Sequence, residues 1–390
     1  MVSQTSPGLF ARHRLSNPKH SVVKNDNAIR ASGILFSLKS VPNIGILGAA
    51  NIAPNALINP AKSMPSIVVV SVAARDENKA KEFASKHGIP NTHPSYDAII
   101  NDPNIDCIYN PLPAGLHYEW AKKALEAGKH VLLEKPSTSN AQQARELFAI
   151  AKEKNLVLLE ALHYRFHPSS VFFRETLQKH IASGHQLQRA KAVMSFPRFF
   201  PATDIRFNYN LGGGVMMDCG CYNINAIRFF TGLEVESVEK AVPKIVSEDI
   251  DGRMDAVLRL KCDDNTFAEA ELNSSLTNPW FSIQTYREFM PVFIAETDDK
   301  IFTFGGFVMP SLYHYFTVKD KVTGKTENLR KAYGEGYSTY RYQLEAFVKA
   351  VENGGKDVES IPGWVSGEDS VLNMTAVDAV YKKAGMKLRG

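Results

Sequence analysis

Three side chains of this sequence have the types and surroundings needed to move a proton at a bound hydroxyl. Lys135 lies in Glu134-Lys135-Pro136, where a short apolar run over residues 131–133 meets a proline that forbids further regular pairing, so the lysine is fixed in position. Asp218 and Tyr222 follow Gly212-Gly213-Gly214 and stand four residues apart, a spacing that puts both on one face of a helix. A phenol that works as acid and base needs a nearby cation to lower its pKa and stabilise the phenolate, and Lys135 is such a cation. Each residue alone also has an ordinary reading: a surface lysine, a turn-capping aspartate and a half-buried aromatic.

The elements that must position these groups begin with a dinucleotide-binding pattern. The run Asn43-Ile44-Gly45-Ile46-Leu47 reads as a buried strand and leads into Gly48-Ala49-Ala50-Asn51-Ile52-Ala53, with a helix expected from Pro54. Strand, glycine turn and helix start form the setting in which a G-x-G-x-x-G/A frame carries meaning. Gly48 permits the tight turn, Ala50 leaves room for a pyrophosphate, and free helix N–H groups receive its charge. About 20 residues on, where a carboxylate grips the ribose of NAD, the strand over 67–74 ends in Ala74, followed by Arg75 and Asp76. Arg75 suits the 2′-phosphate of NADP, and Asp76 leaves NAD open.

Strand and helix patterns alternate from residue 43 to 160, which predicts a doubly wound parallel sheet. Its carboxyl edge carries the loop from Asn110 through Pro111, Leu112 and Ala114 to His117, and then Glu134 and Lys135. Beyond residue 160 the pattern changes to β-branched and aromatic runs. Strands are expected at 189–196, 235–242, 255–261, 267–273, 280–285, 292–296, 300–304 and 313–319, separated in part by turn signals at 263–265 and 323–324. The fold class is therefore α/β with a second α+β domain built on a large, mostly antiparallel open sheet. The division expected is a basic extension over 1–42, a dinucleotide-binding domain over 43–162, a substrate and oligomerisation domain over 163–368, and a C-terminal helix over 369–390 packing back on the first domain.

Composition removes other classes. The chain has 390 residues, 44% hydrophobic and 22% charged, with a net charge of +4, enough for two cores and without a dense basic block for nucleic acid. Four scattered cysteines make no disulfide framework or metal set, which suits a reducing, cytoplasmic setting. No apolar run has the length of a membrane span. The first 40 residues are basic and nearly free of acids, a composition shared by mitochondrial targeting segments and by disordered extensions.

Together, the Gly48 turn, Ala73-Ala74-Arg75-Asp76, Tyr109-Asn110-Pro111-Leu112-Pro113, Gly128 through Pro136, Glu160-Ala161 with Tyr164-Arg165-Phe166, and Gly212 through Tyr222 resemble the glucose-fructose oxidoreductase and inositol dehydrogenase family. The tyrosine at 222 resembles the branch that includes NADP-dependent D-xylose 1-dehydrogenase and trans-dihydrodiol dehydrogenase. The resemblance implies that Lys135 and Tyr222 form a catalytic pair with Asp218 as a positioning group. Glu134 and Lys135 would border the nicotinamide ribose, and Pro111 and Leu112 would line the nicotinamide cleft. Gly48, Ala50, Asn51, Ile52, Arg75, Asn110 and His117 complete the expected cofactor set, with NADP favoured over NAD. Tyr164 and Arg165, with Arg206, Phe199 and Phe200, are candidate substrate contacts. The activity implied is hydride transfer to or from a carbinol carbon of a sugar or vicinal diol, in a homodimer or homotetramer joined through the second sheet. The alternatives are a non-catalytic NADP(H) sensor and an enzyme that retains its cofactor between half-reactions.

Overall fold

The computed structural model describes residues 41–263 and 266–390. The basic extension through residue 40 and part of the 263–265 turn signal lie outside the described residues. The first sheet holds β1 (Asn43–Leu47), β2 (Val68–Ala73), β3 (Asn91–His93), β4 (Cys107–Asn110), β5 (His130–Leu133) and β6 (Leu158–Glu160). Its order is β3-β2-β1-β4-β5-β6 and every pairing is parallel. Strands covered by helices on both faces are mostly apolar, and β4 and β6 have no exposed residue, their polar Asn110 and Glu160 standing at the carboxyl ends. The register sets Asn110 opposite Leu133 and Leu133 opposite Glu160, so the chain leaves β4, β5 and β6 along one edge.

The second sheet contains β7 (Leu187–Pro197), β8 (Glu234–Ser247), β9 (Ile250–Lys261), β10 (Phe267–Asn278), β11 (Val292–Thr297), β12 (Lys300–Gly305), β13 (Tyr315–Asp320) and β14 (Thr326–Asn328). Its order is β14-β13-β12-β11-β7-β10-β9-β8, antiparallel except where β7 and β10 run together. The fully buried helix Cys221–Thr231 lies against this sheet and supplies Phe230, whose ring meets Phe293 at 4.8 Å between centroids. The helix Gly367–Lys383 packs against both the helix Ala141–Glu153 and β8.

One expected strand is absent. Residues 280–285 instead enter a short helix, Ile283–Glu288, that leaves Trp280, Phe281, Ile283 and Tyr286 exposed. β-Propensity expresses a fit to a half-buried pleated surface, and this segment pairs with no strand, its helix only resting against β7. The short polar strands β3 and β14 were not anticipated, because three residues carry too little periodicity to read.

Candidate active site

The cofactor edge is built from backbone conformation. Gly48 has φ +88 and its N–H donates to the Ala73 carbonyl at 2.7 Å, turning the chain sharply out of β1. A β-carbon there would stand 3.0 Å from Leu112 Cδ2, so the glycine also makes room for the loop after β4. Arg75 is exposed at the end of β2. Asp76 caps the next helix, its Oδ1 accepting from the N–H groups of Asn78 at 2.9 Å and Lys79 at 3.3 Å. The cap engages Asp76 Oδ1, with the exposed Arg75 beside it. Ala50 is partly buried and Asn51 exposed at the turn, while Ile52 lines the cavity described below.

Asn110 and His117 are buried and organise this edge from beneath. The Asn110 side-chain carbonyl accepts from Leu112 N–H at 3.3 Å. His117 places Nδ1 at 2.8 Å from the Pro136 carbonyl and Nε2 at 2.6 Å from that of Leu112, joining the two loops that border the cleft. Burial pushes its pKa down to about 4, so the neutral ring donates to one carbonyl at a time.

A cavity of about 710 Å³ opens at this edge, between the two sheets. Lys135 reaches into it from the end of β5 and Asp218 from Met216–Gly220, a π-helical segment that continues into the helix bearing Tyr222. Such bulges recur at functional sites because the extra residue re-aims a side chain. Lys135 Nζ donates to Asp218 Oδ1 at 2.7 Å and to the Asp218 carbonyl at 3.0 Å. Arg206 Nε donates to Asp218 Oδ2 at 2.8 Å, and its guanidinium lies 4.0 Å from the centre of the Phe200 ring. Burial opposes both charges of the Lys135 and Asp218 pair. The pairing outweighs it, so the ammonium is held above its ordinary pKa and the carboxyl below. An ammonium has three donors, and two are used within the pair.

Lys135 does not bond the Tyr222 hydroxyl. It lies over the ring, Nζ 4.8 Å from the centroid, and the phenol oxygen instead meets His163 Nε2 at 3.0 Å. Burial raises the Tyr222 pKa well above its ordinary value, with Tyr340 and Glu134 adding to it, so the group is a protonated phenol. The expected effect of Lys135 on that phenol is thus corrected: the cation faces the ring, and burial governs the oxygen. Glu134 lies beside it and accepts from the Tyr109 hydroxyl at 2.7 Å.

Two substrate candidates turn away from the cavity. Tyr164 is wholly buried and donates to Asn225 Oδ1 at 2.7 Å. Arg165 bonds the Gly363 and Trp364 carbonyls at 3.1 and 2.7 Å and pairs with Asp369, a structural anchor for the C-terminal helix. The cause is the 3-10 turn His163–Phe166 after β6, which sends His163 to the cavity and its two successors into the interior. Arg206, Phe199 and Phe200 do line it. Sequence reasoning missed His163 and Tyr340, whose rings meet at 4.2 Å between centroids. It also missed an outer wall of Phe196, Phe289, Met290, Val308, Met309 and Leu312.

Asp251 and Arg389 brace the glycine turn from behind. Gly214 has φ +123, and a β-carbon on it would stand 2.3 Å from Asp251 Oδ1. Arg389 is fully buried, donating to the Gly213 carbonyl at 2.7 Å and to Asp251 Oδ1 at 3.1 Å, while Asp251 Oδ2 accepts from Met216 N–H at 2.9 Å. Among the described residues, one group of potential metal ligands occurs, His180, His185 and Asp299; they bond one another and share no residue with the cavity lining.

A parallel sheet whose carboxyl edge opens on a cavity holding a lysine, a carboxylate and a phenol is the build of a dinucleotide-dependent oxidoreductase. The chain belongs to the GFO/IDH/MocA family: residues 42–162 match its oxidoreductase domain with the NAD-binding Rossmann fold, and residues 175–286 match its C-terminal domain. It is 32% identical to the D-xylose 1-dehydrogenase (NADP(+)) 2 of Haloferax volcanii, over 87% of this chain and 96% of that one. The trans-1,2-dihydrobenzene-1,2-diol dehydrogenase of Xenopus tropicalis is 34% identical over 50% of this chain and 58% of its own length. The 3-ketoreductase KijD10 of Actinomadura kijaniata, solved with NADP and TDP-benzene, superposes with a TM-score of 0.73 at 26% identity, covering 88% of this chain and 97% of that one.

Proposed function

We propose that this chain uses NADP(H) to interconvert a carbinol and a carbonyl on a sugar or vicinal diol. The observation that carries the reading is the charged Lys135 and Asp218 pair beside the Tyr222 phenol, all in the cavity at the dinucleotide edge. NADP is supported by the exposed Arg75 and by the engagement of Asp76 in its helix cap. When bound, the nicotinamide supplies or accepts the hydride. The protein handles the proton. In reduction, Tyr222 gives its hydroxyl proton to the oxygen of the carbonyl, and the ammonium of Lys135 stabilises the negative charge that develops there. In oxidation the same groups work in reverse, and an aldose oxidised at C1 yields a lactone.

The outer wall bears on the substrate. Phe196, Phe199, Phe289, Met290, Val308, Met309 and Leu312 offer no strong side-chain hydrogen bond, with the Tyr313 hydroxyl beside them, so a hydroxyl placed against most of this wall gains no protein partner. This favours a vicinal diol or hydroxy ketone whose unreactive half is apolar. The aldose reading rests on the similarity to the xylose dehydrogenase. A panel of D-xylose, D-glucose, trans-1,2-cyclohexanediol and 1-phenyl-1,2-ethanediol, each with NADP⁺ and NAD⁺, tests both by nicotinamide absorbance. Turnover with NADP⁺ on any of them supports the oxidoreductase, and the best substrate chooses between the readings. Cofactor binding without turnover of any compound in either direction would favour a sensor. NADP(H) that stays with the protein through purification would favour the retained-cofactor alternative.

A further inference from the structure

We infer that His163 is a positioning residue, which donates its Nε2 proton to the Tyr222 oxygen and thereby turns the phenol's own proton toward the substrate. The inference rests on the reading that Tyr222 carries the proton of the reaction. A neutral imidazole has one N–H, and His163 has two nitrogens in different surroundings. Nε2 stands 3.0 Å from the phenol oxygen, while Nδ1 is buried with no partner.

The two tautomers differ in what they leave unsatisfied. With the proton on Nδ1, a buried donor is orphaned and the ring accepts from Tyr222, so the phenol proton is spent on the histidine. With the proton on Nε2, the orphan is only a lone pair, which native interiors tolerate better than an orphan N–H. The second tautomer leaves the phenol proton free to face the cavity. The ring stays neutral, because burial and then the Lys135 cation push its pKa down to about 3. Tyr340 packs on its other side at 4.2 Å between centroids and holds the plane that aims Nε2.

The titratable neighbours of the pair come from four other places in the fold. Tyr109 stands on β4, Glu134 and Lys135 follow β5, Asp218 and Cys221 come from the π-helical segment and the helix start, and Tyr340 comes from the helix Thr339–Glu352. Glu134, Cys221, Asp218 and Tyr340 all raise the Tyr222 pKa. A neutral donor at the phenol oxygen opposes them, because a hydrogen bond to the charged form favours that form. His163 therefore returns part of what burial removes and makes proton uptake by Tyr222 in the oxidation direction accessible at lower pH.

The experiment compares the pH dependence of kcat for alcohol oxidation in the wild type, His163→Leu and His163→Gln, on the best substrate of the panel. In His163→Leu, which removes the donor, the rising limb is expected to move up by about one pH unit, a roughly tenfold loss at a fixed pH on that limb. His163→Gln keeps an N–H and is expected to recover most of the shift, with the NADP⁺ dissociation constant unchanged in both. A rising limb in His163→Leu that coincides with the wild type overturns the inference, as does a shift in His163→Gln equal to that in His163→Leu. Should a variant fail to fold, nitrogen NMR of the histidine rings in the wild-type protein decides: protonation on Nε2 supports the inference and on Nδ1 overturns it. Tyr222→Phe separates the two levels. If it retains turnover, the reading of Tyr222 itself fails; if it is inactive while His163→Leu is unchanged, only the role of His163 fails.

Discussion

Lys135 and Asp218 each hold the other in the charged state, and that mutual dependence sets what substitution does. Lys135→Met leaves the carboxylate with Arg206 alone and removes the cation from the site of developing charge. Turnover is expected to fall on the order of 100-fold or more, a larger change than that in NADPH affinity, as steady-state kinetics and cofactor fluorescence would register. Full turnover in Lys135→Met would end the present reading of the site. Arg75→Ala removes a guanidinium suited to a phosphate, so the dissociation constant for NADPH should rise about tenfold while that for NADH stays level. Titration of both cofactors tests this. At this scale the sequence was read well where an element boundary fixed the residue, as for Lys135 after β5. It was read poorly one turn after β6, because nothing local distinguishes His163 from Tyr164 and Arg165 until the pitch of the turn is known.

Strand ends and helix starts bear the energetic load of holding these groups. Glu160 closes β6 fully buried, its Oε1 accepting from Ser137 N–H at 2.8 Å and the Ser370 hydroxyl beside it. Burial raises its pKa to about 7. The folded chain then binds that proton more tightly than the unfolded chain, whose carboxyl titrates at about 4.3. The contribution is complete below the unfolded value and is lost as pH rises through about 7. Glu160→Gln should flatten that decline in urea unfolding followed from about pH 5 to 8, with ~3 kcal/mol as the ceiling. The Arg389 and Asp251 pair behind the glycine turn behaves differently, since removing one buried partner strands the other. Arg389→Ala should lower unfolding free energy by ~3–5 kcal/mol, measurable in the same assay. Strands with neighbours were legible from their apolar runs, whereas 280–285 had the residues of a strand and no sheet to join.

At the scale of the whole molecule, one cavity draws on both halves of the chain: the edge of the first sheet supplies the cation and dinucleotide side, and the segments between strands of the second supply most of the outer apolar wall. The parallel sheet and the antiparallel sheet both followed from periodicity, but the seam between them did not, because it depends on contacts between segments far apart in sequence. The outward side of the second sheet mixes paired charges such as Lys191 and Glu271 with part-exposed Val257 and Ile294. Association of two copies through that face is our expectation. Light scattering should give two or four times the chain mass, and Ile294→Lys should lower it. A single-chain mass for the unaltered protein would dismiss the arrangement. No helix among the described residues is long and apolar enough to cross a membrane.

The guanidinium that braces the Gly213 carbonyl lies 176 residues later in the chain. During synthesis the turn leading into Asp218 and Tyr222 is therefore made long before its brace exists. The substrate side stays unfinished until residue 389 has been made and has taken its place behind the turn, and the same C-terminal segment reaches the nucleotide half, where the Arg389 carbonyl accepts from Asn140 at 2.9 Å. A chain synthesised only as far as residue 388 should therefore show a marked loss of turnover beside one that includes Arg389, as a cell-free synthesis reaction would register.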